Sequence, residues 1–319
     1  MIDLQGANRL PYHQLLRGSR GPGWLPVLGA ATILTGWMLA GIVIWSGQNA
    51  VREDPAGTVS WFGLLATNLT LISLIPLSIL VARRLNHQAR GLLSSVAGGL
   101  RWRPLAWFFM VALGVELVLL SVAYLAGIGV AGADAAGPAA DAIAVIAVVL
   151  LTSTLQAAGE EYFFRGYLLQ AAGALVRNPW FAILLTSTLF AMAHGVWPWD
   201  SPQLFLDRFA FGLAAGYLAV RTGGLEAPIA VHAVNNVGTF VLAALTDTVG
   251  GSLGVTSAAW SLVAADIVKF GVFAIAVVWI CRREDLANLT PGPGDLPVQG
   301  TRRGLEWRGV ADQLRLRRR

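Results

Sequence analysis

Residues 142–173 read AIAVIAVVLLTSTLQAAGEEYFFRGYLLQAAG. A membrane-crossing helix needs about 20 largely apolar residues, and this run is long enough to tilt or extend past the bilayer. It also carries Glu160, Glu161 and Arg165, ionisable groups at a depth where each is costly and marks a functional site by default. Working outward, further apolar runs occupy 24–46, 60–82, 104–129, 180–196, 204–221, 226–248 and 259–281, the fifth span in chain order being short. The pattern predicts an all-α, polytopic transmembrane helical bundle of about eight helices. Composition agrees: of 319 residues, 55% are hydrophobic and 13% charged, against roughly a quarter charged in soluble domains. The mean hydropathy is +0.62. One membrane domain over 24–283 is expected, with its functional part near 140–248, and not two soluble domains.

The charge pattern sets the orientation. The loops after the first, third, fifth and seventh spans contain a single arginine, Arg52, beside Glu53 and Asp54. The loop after the second carries Arg83, Arg84, Arg90, Arg101 and Arg103; Arg177 follows the fourth, Arg221 ends the sixth, and Arg282 and Arg283 follow the eighth. This alternation predicts both termini in the cytoplasm of a bacterial plasma membrane, and it explains the pI near 10 without nucleic acid as a partner. Residues 1–23, with Arg9, Arg17 and Arg20, read as a cytoplasmic lead into an uncleaved first helix. Residues 284–319 read as a basic cytoplasmic tail, broken at Pro291-Gly292-Pro293-Gly294. Its end, with Leu305, Trp307, Val310 and Leu314, either lies on the anionic inner leaflet or stays disordered. The lone cysteine, Cys281, allows no internal disulfide and is expected at the cytoplasmic end of the last helix.

Three polar motifs then stand out on successive spans: Gly159-Glu160-Glu161-Tyr162-Phe163-Phe164-Arg165-Gly166, Phe190-Ala191-Met192-Ala193-His194, and His232-Ala233-Val234-Asn235-Asn236. Glu161 and Arg165 are four apart with the acid first, the favourable order for an ion pair. Glu160 is turned about 100° from Glu161 and is free to face another group. His232 and Asn236 share a face. Rise per residue puts Glu160 and His194 each about 20 Å from the inner ends of their helices, so the expectation is one cavity opening towards the cytoplasm. Glu161–Arg165 reads equally as a structural pair or as part of catalysis, and a lone His194 would read as a packed histidine. Two histidines, two acids, an arginine and an amide on three helices point to a shared site.

These motifs, in this order, resemble the CPBP intramembrane proteases, which include type II CAAX prenyl endopeptidases and bacteriocin-processing and abortive-infection-like proteins. Phe164-Arg165-Gly166-Tyr167-Leu168 and Arg221-Thr222-Gly223-Gly224 through Pro228 extend the similarity, which covers about 140–248. The resemblance implies that Glu160 activates water, assisted by His194, with His232 and Asn236 near the oxyanion and Glu161 and Arg165 holding the first motif in place. Its substrate would be a membrane-embedded or lipidated peptide or protein.

The family is often labelled metalloprotease, and a catalytic zinc wants about three protein ligands. His194, His232 and Glu160 are the candidate set if a metal is bound. With Glu161 held by Arg165, one glutamate would then have to serve as both ligand and base, and no His-Glu-x-x-His helix is present. The reading favours no cofactor, with Asn236 and His232 donating hydrogen bonds to the oxyanion. A proton-coupled secondary transporter and a catalytically idle immunity or scaffold protein are the alternatives; no inverted repeat supports the first. Elsewhere in the spans, Asp266 and Lys269 read as a self-neutralising pair, Asp207 and Arg208 as snorkelling residues, and Glu116 has no sequence-local partner. Neither oligomeric state nor pathway follows from these residues.

Overall fold

Inside a bilayer every backbone N–H and C=O must find its partner within the segment, so long apolar runs become helices. The computed structural model describes residues 9–18, 22–51, 61–125, 138, 140–246, 248 and 258–290. It shows eight long helices: α1 (Leu25–Val51), α2 (Trp61–Arg84, interrupted at Ser73), α3 (Trp102–Leu125), α4 (Ala142–Leu175), α5 (Pro179–Ala193), α6 (Pro202–Thr222), α7 (Glu226–Leu245) and α8 (Trp260–Arg283). A short 3₁₀ turn, Tyr12–Gly18, precedes them. Among the described residues there is no strand, only two isolated bridges.

Each expected span falls on one helix. By length and composition six of them suffice to cross a membrane; α5 is too short and α6, with Gln203, Asp207 and Arg208, too polar. The apolar side chains that point outward confirm where the solvent is lipid. Val43, Met110, Ile143, Leu151 and Ile275 are all largely exposed, on a scale that a water-soluble monomer does not tolerate. The protein is an integral membrane protein.

Polar latches join the arginine-bearing loops at one end of the bundle. Arg101 donates from Nε and its backbone N–H to Glu226 Oε1 (2.9 and 2.8 Å) and from Nη2 to Oε2 (2.7 Å). The same guanidinium reaches the carbonyls of Thr222 and Ala287, both at 2.9 Å. The loop after α2, the α6–α7 turn and the segment after α8 are thereby held by one side chain. Gly223, at φ +73°, makes that turn possible, a left-handed conformation that only glycine adopts without cost. The N-terminal segment closes the same end: Leu10 and Thr290 exchange hydrogen bonds at 2.9 and 3.1 Å, and Tyr12 donates to the Leu93 carbonyl. Burial raises the Tyr12 phenol well above its ordinary range, so it remains a donor.

The middle of the bundle is α4, which is two helical lengths in one. Wide turns with i to i+5 hydrogen bonding, Val149–Ser153 and Tyr162–Leu168, flank its segment Thr154–Glu161, and such turns cluster at functional sites. Gly159 lets α4 approach the backbone of α2: a Cβ there would collide with the Leu71 carbonyl. Near this contact α2 is interrupted at Ser73: Pro76 has no N–H to give the Ile72 carbonyl, and Ser73 Oγ donates to the Thr70 carbonyl at 2.6 Å.

Three expectations need comment. Cys281 sits at the end of α8 as expected but is 4% exposed, so a thiol reagent cannot report topology from it in the folded protein. The fifth span stops at Ala193 instead of 196, because Gly195 turns the chain at φ +72°. The proline–glycine breaker, the tail to Arg319, Arg20 and Arg52 lie outside the described residues.

Glu226 is fully buried while Arg101 is 14% exposed in its side chain. Breaking a buried pair leaves a charge without its partner, at about 3–5 kcal/mol. Glu226→Gln should therefore lower detergent-solubilised stability by about that amount in a denaturant titration; a loss under about 1 kcal/mol would remove the latch from this account.

Candidate functional site

Glu161 and Arg165 lie on α4 four residues apart, both fully buried, with Arg165 Nη1 donating to Glu161 Oε1 at 2.9 Å. The same oxygen receives His232 Nδ1 of α7 at 2.6 Å. A carboxylate only accepts, so Nδ1 carries the proton and His232 is fixed in ring orientation by α4. The rest of the Arg165 guanidinium is wrapped in aromatic faces: its carbon stands 4.1 Å from the Phe190 ring centre, 5.1 Å from Phe211 and 5.9 Å from Phe164. Desolvated cation–π contacts of this kind contribute on the order of 2 kcal/mol. Its Nε and Nη2 have no hydrogen-bond partner, so the rings replace hydrogen bonds here.

Glu160 faces a different set. Its Oε1 accepts from Gln156 Nε2, one helical turn earlier on α4. Gln156 Oε1 in turn accepts from Asn236 Nδ2 of α7 at 3.0 Å. The direction of this chain is dictated at its acidic end. The carboxylate must accept, so Gln156 presents its NH₂ there and its C=O to Asn236, which must present NH₂. The other oxygen, Glu160 Oε2, is buried without a hydrogen-bond partner and faces His194 Nε2 at 3.9 Å. His194 caps the end of α5, and its Nδ1 lies 2.8 Å from the Phe190 carbonyl. A carbonyl only accepts, so Nδ1 holds the proton and Nε2 of the neutral ring offers a lone pair to the gap.

All six residues expected from sequence, Glu160, Glu161, Arg165, His194, His232 and Asn236, thus meet in one cluster, but as two sub-sites. His232, expected beside the oxyanion, is engaged by Glu161 and not by Glu160. This separation bears on a metal. No three His, Cys, Asp or Glu side chains among the described residues are grouped to hold an ion, so Glu160, His194 and His232 do not form such a group.

The packing differs on the two sides of the cluster. Below the cluster, towards the arginine loops, α4 is sealed: Ser94 hydrogen-bonds Tyr162 at 2.7 Å, Tyr167 bonds Asn86 at 2.6 Å, and Gln170 bonds Gln88 at 2.6 Å. The exposed member is His194, 32% exposed in its side chain, at the opposite end. Depth along a helix fixes distance from one face, but not which face the packing leaves open.

Sequence reading missed Gln156, although its position one turn before Glu160 was a usable signal. A second polar group stands across α7. Lys269 on α8 donates to Asn235 Oδ1 and pairs with Asp266, each at 2.6 Å, and lies 3.5 Å from Glu116 of α3. The self-neutralising Asp266–Lys269 pair is there, and Glu116 has found its partner in it. Asp207 and Arg208 pair with one another.

Because Glu161 is the carboxylate paired directly with Arg165, Glu161→Gln should destabilise the protein by roughly 3 kcal/mol or more. Glu160→Gln, whose Oε1 position still accepts from Gln156, should unfold at close to the wild-type temperature. Equal melting temperatures for the two variants would show that the glutamates are not differentiated in this way.

Comparison with known proteins bears on the same helices. Residues 142–238 match the family described as type II CAAX prenyl endopeptidase Rce1-like. The uncharacterized protein YyaK of Bacillus subtilis (strain 168) is 33% identical over 100 residues, which are 29% of this chain and 32% of that protein. The chain thus matches about a third of that relative's length. The segment that carries the polar cluster is therefore Rce1-like, consistent with the CPBP family.

Proposed function

We propose that the protein is an intramembrane endopeptidase that hydrolyses a peptide bond of a membrane-associated or lipidated substrate with a glutamate-activated water. The observation that carries this reading is the 3.9 Å gap between Glu160 Oε2, buried without a hydrogen-bond partner, and His194 Nε2. A water at about 2.8 Å from both atoms subtends an angle of about 90°, near its own H–O–H angle. Both its hydrogens would be held by acceptors and its lone pairs turned to the open side.

The reaction then runs in two proton transfers. Glu160 takes a proton as the water oxygen bonds to the substrate carbonyl carbon. The developing oxyanion accepts from the second N–H of Asn236, whose amide is oriented by Gln156. The carbonyl re-forms, the C–N bond breaks, and the proton on Glu160 passes to the departing nitrogen, leaving a carboxylic acid and an amine and returning Glu160 to its carboxylate form. Glu161, Arg165 and His232 act by holding α4 and α7 in register. No metal is needed for these steps.

The location proposed is a bacterial plasma membrane with both termini cytoplasmic. Its support is the gathering of Arg84, Arg101, Arg177, Arg221 and Arg283 at one end of the bundle, where the segments 9–18 and 284–290 also meet.

Purified protein in lipid vesicles, given membrane peptides, tests the reading. Cleavage is expected in the wild type and none with Glu160→Gln. Asn236→Ala should slow turnover about a hundred- to a thousandfold, the usual cost of one oxyanion donor. Elemental analysis should find metal well below one per chain, with activity unchanged by exhaustive chelation. One zinc per chain, lost and restored together with activity, would overturn the metal-free mechanism. No cleavage of any membrane peptide would return the choice to a transporter or an idle scaffold.

A further inference from the structure

The cluster just described belongs to a wider polar layer, and its level in the bundle has a consequence for the substrate. Measured along each helix from the arginine-rich end at about 1.5 Å per residue, Glu160, His194, Glu116, Asp207 and Lys269 all lie about 21–23 Å in. Ionisable groups on five helices thus share one depth. Towards the arginine end the packing beneath them is shut: Glu161, Arg165, Tyr167, Gln170, Glu226 and Tyr12 are all fully buried. Towards the other end, among the described residues, two ionisable side chains reach the surface. The Arg208 side chain is 35% exposed and that of His194 32%.

The short α5 supplies an independent argument. From Pro179 to Ala193 it rises only about 22 Å, against a hydrocarbon thickness of about 30 Å. Its start is tied to the arginine end, where the Arg177 carbonyl lies 3.0 Å from His13 Nε2. The chain therefore leaves helical geometry at His194 before it has crossed the apolar layer, and residues 195–201 run as irregular backbone. At that depth non-helical backbone is tolerated only when buried in protein or lining a water-filled cavity. Gly195, Pro198, Trp199 and Asp200 are exposed, so the second case holds and this end of the bundle contains a wet depression with His194 on its floor. Trp197 and Trp199 stack at its rim with ring centres 5.2 Å apart, the side-chain type favoured at the level of lipid headgroups.

From this we infer that the site takes water and substrate from the face opposite the arginine-rich loops. With those loops in the cytoplasm, that face is extracytoplasmic. The substrate class is a membrane-anchored peptide whose scissile bond is presented in the outer half of the bilayer, not the tail of a cytosolic protein arriving from inside. The inference rests on the proteolytic reading for its substrate, and on packing and charge alone for its sidedness.

Two measurements separate those parts. In a Cys281→Ala background, Trp199→Cys and Asp200→Cys place a thiol at the depression, and Arg283→Cys places one at the other end. An impermeant maleimide should label the first two in intact cells and the third only after the membrane is opened. Labelling of Arg283→Cys alone in intact cells would overturn the sidedness whatever the activity. For the substrate, an acylated fluorogenic peptide with a charged, impermeant head is added to sealed vesicles. Cleavage is expected in right-side-out vesicles, at least tenfold faster than in inverted ones, with the two equal once detergent is added. Faster cleavage in inverted vesicles would overturn the outer-leaflet assignment. Absence of cleavage even in detergent would overturn the proteolytic reading, while the thiol labelling would still decide where the site opens.

Discussion

An arginine with no access to water, deep in a membrane protein, has to be answered by everything around it. Desolvating an isolated guanidinium costs many kcal/mol, and breaking its one ion pair leaves that cost exposed. Arg165 is answered by a single carboxylate oxygen at 2.9 Å and by the faces of Phe164, Phe190 and Phe211. Those partners come from α4, α5 and α6, and Glu161 brings in α7 through His232. Four helices are therefore registered against one cation. The same demand separates two adjacent glutamates: each has one buried oxygen that no described residue hydrogen-bonds, but Glu161 is held by the cation and His232, while Glu160 turns its free oxygen towards His194.

The dipeptide Asn235-Asn236 gains a physical meaning in this setting. Successive residues of a helix point about 100° apart, so two amides in a row address two neighbours. Asn236 is bound by Gln156 of α4 and Asn235 by Lys269 of α8. Helix α7 is thereby clamped on both flanks at the level of the site, and Lys269 is itself steadied by Asp266 and Glu116. The charges of the second group need no catalytic role to explain their presence, because they fix the helix that carries Asn236.

Much of this was legible in the sequence. The eight apolar runs gave eight helices because hydrocarbon permits little else, and the i, i+4 spacing of Glu161 and Arg165 fixed their pairing before any neighbour was known. What stayed hidden required knowing which helices touch. Nothing in the sequence links Glu226 to Arg101, 125 positions away; only the fold shows the guanidinium forked around it. Glu116 looked solitary because its partner lies on α8. His232 and Asn236 share a helical face, yet they bond different partners, since α4 presents the Glu161 carboxylate to one and the Gln156 amide to the other. The seal beneath the cluster stayed hidden for the same reason: rise per residue measures depth, while the contacts under α4 come from Tyr12, Ser94 and Asn86, far away in sequence.

The pairing of Leu10 with Thr290 also says something about biosynthesis. A polypeptide emerges from the ribosome in order, and domains assemble from the N-terminal side as it does so. The 3₁₀ turn at Tyr12–Gly18 can seat itself against α4 once that helix is in place, but its last hydrogen bonds wait for a segment made 280 residues later. The seal at the arginine-rich end of the bundle is thus completed only when the final helix has been inserted, after every residue of the polar cluster is already in the membrane. A nascent chain held short of that point would carry its buried charges behind an unfinished closure, which makes release of the last helix the step at which assembly is committed.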